Sequence, residues 1–479
     1  MKILYYNWTQ FDNVNNQGGG VNVYQKNLIE YMVKNTDNEI YFLSSGLYYD
    51  VINNKTYIKQ SKNIFGDKCQ TFKLINSKCL APASAMYDDI NTYLNDNEDY
   101  EVLKKFINKC GGFDVIHFNN IEGLSLNCLK IKKDFPNMKI IYSLHNYFFC
   151  CPKVNLFYND EKNCIDYQNG ELCRKCLKNI VAKNKIIMFY KVNGLSEKLH
   201  MTKLNNKIRW YAKNVLRKLK KKNTQSEKKD NKAININGDF KKFRDKSIDA
   251  INNYVDVVLA VSNRVRNIAI RYGIQEKKIF TNYIGTKVAE NEKIIKKTHN
   301  DQKLNIAYMG YFNKQKGFDF LIDALEKLPN EIAKKINFYC YAKIKDENDK
   351  INVEKIQKLN GKLNSAVHFN GYKHQDLPEI YKRIDLGIVP VIWEDNLPQV
   401  AIEFVAYGVP ILCSDLGGAQ ELSEAKEFVF KAGNIESFQE KIANIINDRD
   451  LLKKYFEKQK KLTTMDEHIN SLMKFYTNG

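Results

Sequence analysis

Short runs of β-branched and aromatic residues alternate along this chain with longer stretches of helical periodicity, and part-way through the alternation starts afresh. In the first half the runs are Ile3–Tyr6, Ile40–Leu43, Val115–Phe118, Ile140–Leu144 and Val257–Val261. In the second they are Asn305–Met309, Asn337–Tyr341, Val367–Phe369, Gly387–Val389 and Ile411–Cys413. Apolar runs separated by helices are the mark of βαβ units, whose parallel strands are covered on both faces. The reset follows a charged segment, 290–302, that holds few apolar residues and reads as an interdomain linker. At 479 residues the chain exceeds what one ordinary core fills, so the expected fold class is α/β, with two Rossmann-like domains at 1–289 and 303–455. The 44% hydrophobic content supplies enough apolar side chain for two cores, which confines disorder to local segments.

One segment, about 150–240, interrupts the pattern and is longer than a βα loop should be, so it reads as an insertion in the first domain. It is also where the charge sits: residues 178–246 carry about +16 of the formal net charge of +20. The stretch 185–222 interleaves Ile186, Ile187, Met188, Phe189, Tyr190, Trp210 and Tyr211 with lysines, and Ile208, Tyr211, Val215 and Leu219 share one helical face. Such a helix suits an anionic membrane surface; a solvated helix packed on the first domain is the alternative. Its end, Asn223–Asn237, is polar and expected to be disordered.

No run of roughly 18 uncharged apolar residues occurs, so a membrane-spanning helix is not expected. The first residues read as a buried strand rather than a secretion signal, and 11 cysteines form an odd set, which together point to reduced thiols in the cytoplasm. Cys151, Cys164, Cys173 and Cys176 include one Cys-x2-Cys pair, the spacing of a zinc chelate, with Cys150 as another first ligand and buried reduced thiols as the alternative to a structural zinc.

Four places carry candidate chemistry. Gly18-Gly19-Gly20 lies between the first strand and a helical pattern, where backbone N–H groups approach an anion closely; a plain turn is the competing reading. His145 ends the run Ile140–Leu144, at the carboxyl edge where open α/β sheets bind ligands, whereas His117 lies inside its strand and reads as structural. Lys316, after Gly310 and at the entrance of the helical run Phe318–Leu328, is placed to neutralise a diphosphate. Then Glu394-Asp395 and Glu403, with seven residues between Asp395 and Glu403, bracket a turn and the start of a helix. An acid at the tip can bind sugar hydroxyls, one on the helix can bind both hydroxyls of a ribose, and the N–H groups near Gln399 and Val400 are free for phosphate. A helix that merely begins with acids is the bland alternative.

Taken together, these motifs resemble glycosyltransferase family 4, the retaining transferases of the GT-B fold, over nearly the whole chain outside the insertion. The closer match is in the carboxyl half: a glycine, a Lys316-Gly317 pair, two acids separated by seven residues, and Ala406-Tyr407-Gly408-Val409-Pro410. The resemblance implies two facing Rossmann-like domains with the active site in the cleft, and a final stretch, 456–479, crossing back to the first domain. It further implies that Glu403 binds the ribose, Asp395 meets the donor sugar, Lys316 holds the diphosphate, Gly19 and Gly20 face the phosphates or acceptor, and His145 touches the transferred sugar. Gly371-Tyr372 would lie against the base, and Ser262-Asn263 and Asn282–Gly285 near the cleft. The chain departs from the family where Asp395 replaces a glutamate, so that the sugar contact is either shortened by one methylene or supplied by the neighbouring Glu394, and where Tyr311 replaces an arginine, leaving Lys314 to assist Lys316.

The implied donor is a nucleotide-sugar, turned over without a catalytic metal. The acceptor would be a glycan or polyprenyl-linked glycan in cell-surface polysaccharide synthesis, such as capsule or lipopolysaccharide, made by a hexosyltransferase on the inner face of the membrane. Two other classes remain open: a catalytically inactive GT-B assembly subunit, suggested by the two departures, and a basic nucleic-acid-binding protein, which no nucleic-acid motif accompanies.

Overall fold

The strand Lys2–Tyr6 buries Ile3, Leu4, Tyr5 and Tyr6 almost completely, so both of its faces are covered and it lies inside a sheet, not at an edge. It pairs in parallel with Glu39–Ser44 on one side and Val115–Phe118 on the other. We describe the protein from a computed structural model over residues 1–11, 18–62, 64–82, 89–177, 182–198, 238–290 and 303–477. Edge to edge, the first sheet runs Ile279–Thr281, Val257–Ala260, Lys139–Leu144, Val115–Phe118, Lys2–Tyr6, Glu39–Ser44, Cys69–Ile75, Tyr57–Gln60. Its pairs are parallel except the last, where Tyr57–Gln60 runs against Cys69–Ile75.

The second sheet is wholly parallel, in the order Ser365–Phe369, Ile336–Ala342, Leu304–Gly310, Leu386–Val389, Ile411–Ser414, Val429–Phe430. Counted along the chain this is 3-2-1-4-5-6, the doubly wound order of a dinucleotide-binding domain. All ten apolar runs of the sequence are strands of these two sheets. Four more strands, Tyr57–Gln60, Cys69–Ile75, Ile279–Thr281 and Val429–Phe430, lie at or next to sheet edges, where the apolar signal is interrupted by polar residues or too short to stand out.

The last helix, Met465–Thr477, packs on the first domain. It buries Met465, Ile469, Leu472 and Tyr476, and two of its polar side chains reach into that domain. His468 Nε2 lies 2.7 Å from the Tyr24 hydroxyl. Tyr476 reaches both the Tyr5 hydroxyl, at 3.1 Å, and His117 Nδ1, at 2.6 Å. His117 Nε2 meets Ser143 Oγ at 2.7 Å, and burial drives the ring's pKa well below its ordinary value, so this is a neutral, fully partnered core histidine.

Within the insertion, a hairpin of Phe157–Tyr158 and Lys162–Asn163 is followed by the helices Glu171–Cys176 and Lys183–Lys198, and the chain returns at the helix Phe240–Tyr254. Residues 199–237, which hold Trp210 and the expected face of Ile208, Tyr211, Val215 and Leu219, lie outside the described residues, as does 291–302 of the linker. Among the described residues no helix is long and apolar enough to cross a membrane.

Candidate active site in the interdomain cleft

Ligands of open α/β sheets bind beyond the carboxyl ends of the strands, where the strand order reverses. In the second sheet that point lies between Leu304–Gly310 and Leu386–Val389, and both strand ends open into one cleft of about 590 Å³. Tyr308–Tyr311 and Ile388–Val391 line it from this side, with Lys316, Tyr341, Lys343, Gly371, Tyr372, Trp393 and 395–400 around them. Gly20, Val21, Tyr24, His145, Val261 and Ile284 of the first domain line the opposite wall.

Two helix N-termini meet across this space. The helix Gly19–Asn35 begins at one wall and Gln399–Ala406 at the other, and Gln399 Nε2 donates to the Gly20 carbonyl at 2.8 Å. A Cβ on Gly20 would stand 3.1 Å from Gln399 Cδ, so a side chain there would require the Gln399 amide to shift by a few tenths of an ångström. Each helix contributes unpaired N–H groups and the positive end of its dipole, an arrangement suited to an anion.

Lys316 and Asp395 are joined at the floor, with Nζ 2.5 Å from Oδ2, and Lys316 Nζ also lies 5.8 Å from the centre of the Trp393 ring. Glu403, expected to bind the ribose, sits one turn further along its helix and outside the cleft lining, beside Tyr381 and beside Tyr372, which is in that lining. Burial pushes its carboxyl up to about 7, against the opposing effect of the Tyr381 hydroxyl. On the facing wall, His145 Nε2 is 3.1 Å from Asn119 Oδ1, while Asn119 Nδ2 points to the Tyr6 carbonyl at 3.5 Å. This orientation of Asn119 makes Nε2 the protonated nitrogen of His145 and leaves Nδ1 as an acceptor. Burial, with His468 nearby, pulls His145 down to about 3, so the ring is neutral across the working pH range.

The two neighbouring acids part company. Asp395 faces the cleft, but Glu394 turns away to Arg264 of the first domain, accepting from Nε at 2.8 Å and from Nη2, and from the Gly417 N–H at 3.2 Å. Gly19 and Lys314 are exposed and outside the lining; Lys343 is the second lysine there. Of the expected donor residues, Gly20, Gly310, Lys316, Tyr372, Asp395, Gln399 and Val400 line the cleft together with His145. Sequence reasoning passed over Trp393, Lys343, Tyr24 and Asn396. Among the described residues Trp393 Nε1 and Asn396 Nδ2 are buried donors without a partner, a cost that an oxygen-rich ligand would remove.

Two glycines hold the 390–396 loop in place. Gly317 has φ of +74°, and a Cβ there would fall 1.6 Å from the Pro390 carbonyl oxygen; at Gly417, φ +71°, it would fall 2.2 Å from the Asp395 carbonyl oxygen.

Residues 289–462 match the family described as glycosyl transferases group 1. That segment is a glycosyl transferases group 1 domain. Among curated proteins, an uncharacterized 41.2 kDa protein of the cps region of Klebsiella pneumoniae is 28% identical over 173 residues, covering 35% of this chain and 45% of that protein. An uncharacterized glycosyltransferase of Methanocaldococcus jannaschii is 26% identical over 242 residues, covering 47% and 60%. The chain thus spans about half the length of the curated relatives it matches. Among solved structures, sucrose-phosphate synthase of Thermosynechococcus elongatus superposes with a TM-score of 0.58 at 14% identity, over 99% of this chain and 98% of that one. HepE of Anabaena in complex with UDP and glucose gives 0.54 at 13%, over the whole of both chains. The fold is GT-B: two α/β domains, each with a predominantly parallel sheet, facing across a cleft.

If Gly317 seats the loop of the group 1 domain as described, Gly317→Ala must displace the 390–396 segment and cost more than about 1 kcal/mol. Gly361→Ala, with open space around its Cβ position, should be close to neutral. Thermal unfolding of the two variants side by side checks this, and equal midpoints would refute the close packing.

Proposed function

We propose that the protein is a retaining glycosyltransferase that moves a sugar from a nucleotide-sugar to a glycan or polyprenyl-linked acceptor in cell-surface polysaccharide synthesis. The observation that carries this reading is the joint lining of one interdomain cleft by Lys316, Asp395, the Gln399–Val400 helix start and His145. The UDP and glucose in the HepE complex and the cps-region relative support the donor class and the pathway respectively.

In this reading the diphosphate competes with Asp395 for Lys316, taking the cation and the N–H groups of Gln399 and Val400, with Lys343 nearby. Asp395, released from the ion pair, accepts from hydroxyls of the donor sugar. Positive charge and oriented N–H groups stabilise the leaving diphosphate, so no catalytic metal is invoked. His145, neutral, offers a lone pair or N–H to the sugar near the reacting carbon but no positive charge. The Glu394 side chain, held by Arg264 and Gly417, acts on the donor only through the loop it anchors.

Incubation with a panel of nucleotide-sugars and lipid-linked acceptors, in buffer stripped of free divalent ions, should release nucleoside diphosphate and give product of the donor's anomeric configuration. His145→Ala should lower kcat by roughly 10²-fold with donor affinity little changed. Turnover that appears only on adding magnesium or manganese, or an inverted product, would reject the mechanism. Nucleotide binding without any release would favour an assembly subunit instead.

Glu403 gives the donor site a pH dependence of known sign. The ionised carboxylate is the form that accepts both ribose hydroxyls, so binding selects it and affinity rises with pH up to the free-state value of about 7, then levels off. Below that value the affinity should fall by up to about tenfold per pH unit. Titration of a nucleotide-sugar, whose diphosphate carries no group ionising in this range, should show the slope in the native protein and lose it in Glu403→Gln. An unchanged slope in the variant would remove Glu403 from the ribose site.

The acceptor proposal implies work at the inner face of the membrane. The helix Lys183–Lys198 exposes Met188, Phe189, Val192 and Leu195, and Lys191 Nζ ties it, at 3.2 Å from Asn54 Oδ1, to the loop that exposes Val51 and Ile52. An apolar face among lysines suits anionic lipid. Sedimentation with anionic vesicles should weaken several-fold in Met188→Asp/Phe189→Asp, and undiminished sedimentation would exclude this helix as the contact.

A further inference from the structure

Four cysteines from separate parts of the insertion surround one small void. Cys151 lies just beyond the strand Lys139–Leu144, Cys164 follows the hairpin, and Cys173 and Cys176 stand on the helix Glu171–Cys176. All four line a cavity of about 20 Å³, which has room for one ion or one water and nothing larger. None is in a disulfide. The chain has thus gathered four sulfurs around a space that nothing in the cleft chemistry uses.

Donors and a cation stand close to the sulfurs. Arg244 and Lys153 line the same void. Arg244 is fixed in place, with its guanidinium 3.3 Å from the centre of the Tyr167 ring and 4.7 Å from that of Tyr272, and with Nε donating to the Cys150 carbonyl at 2.8 Å. The Asn159 N–H points at Cys176 Sγ, 3.1 Å away, from a turn in which Asn159 and Asp160 both have left-handed φ, 57° and 59°. Four thiolates around a divalent ion would carry a net charge of −2, which Arg244 is positioned to offset in part; Lys153 is paired with Asp160, its Nζ 2.5 Å from Oδ1.

We propose that Cys151, Cys164, Cys173 and Cys176 are the four thiolate ligands of a structural zinc ion. Zinc takes four sulfurs tetrahedrally, and the Cys-x2-Cys pair on one helical turn supplies two of them. Among the described residues no three such side chains already stand in chelating positions, so binding would require the sulfurs to turn inward and lose their four protons to solvent. Cys150 is not a ligand: it does not line the void, and its thiol is directed to the Tyr147 carbonyl at 3.5 Å.

The ion would brace a strut across the cleft. The hairpin between Cys151 and Cys164 touches the other domain twice: Asn163 Nδ2 donates to the Ile392 carbonyl at 3.3 Å, and Gln315 Nε2 donates to Asp160 Oδ1 at 3.2 Å. These contacts fall beside Trp393 and Lys316, so zinc at the base of the hairpin would fix how the 390–396 loop meets the first domain.

Elemental analysis of the full chain, purified without chelator, should find about one zinc per chain. Cys173→Ser/Cys176→Ser should lose it to background, while Cys110→Ser, outside the cluster, keeps it. Should the double variant not fold, the native protein decides alone: grown with cobalt, it should show the absorption of tetrahedral cobalt–thiolate, and an organomercurial should release metal as four thiols are blocked. A native protein that is free of metal while these thiols react readily with a disulfide reagent would overturn the site. Zinc retained in a folded double variant would do so equally. Neither readout depends on transferase activity, so the site and the function stand or fall separately.

Discussion

The helix Asn263–Arg271 of the first domain has its leading N–H groups capped by a carboxylate of the second. Glu421 accepts from the Asn263 N–H at 2.8 Å and the Arg264 N–H at 2.7 Å, and also from the Tyr283 hydroxyl at 2.6 Å. Arg264, from the same helix turn, returns to Glu394, and Ser262 Oγ donates to the Asn396 carbonyl at 2.8 Å. An anion at a helix N-terminus and a bidentate arginine pair are both favourable and strongly directional. Together they set the angle at which the sheets face each other. Every distance across the cleft, including the Gln399–Gly20 bridge, depends on that angle.

With the domains held so, the charges of the cleft divide by wall. The second domain brings Lys316, Lys343 and Asp395 to the lining, with an unusually basic Glu403 beside Tyr372 but outside it; the first brings a helix start and a histidine that burial keeps neutral. An anion entering the cleft therefore has its attractions on one side. The opposite wall can form hydrogen bonds without adding a charge. The Lys316–Asp395 pair lets the second domain bury a cation before any ligand arrives, since each charge offsets the other's desolvation.

The parallel sheets were legible because their central strands are covered on both faces and so read as unbroken apolar runs. Strands such as Tyr-Ile-Lys-Gln at 57–60 carry no such signal, because an exposed edge tolerates polar side chains. In the site, Lys316 and Asp395 could be placed by motif and position. Lys343 and Trp393 could not, since each is one of many similar residues until the fold brings it to the wall. The role of Gly417 was equally hidden: only the contact with the Asp395 carbonyl distinguishes it from a glycine in an ordinary turn.

The adjacent acids show why such a site resists reading by motif alone. Sequence offered Glu394 and Asp395 as alternatives for one role, but neighbouring side chains on a tight loop project apart, so one enters the cleft and the other leaves it. Glu394, the longer, is the one that reaches Arg264 in the facing domain, and Gly417 supplies the backbone donor that completes its shell. Asp395, the shorter, stays close to the floor and meets Lys316. The substitution that looked like a weakened sugar contact is thus half of a division of labour, in which the glutamate fastens the domains and the aspartate faces the ligand space they enclose.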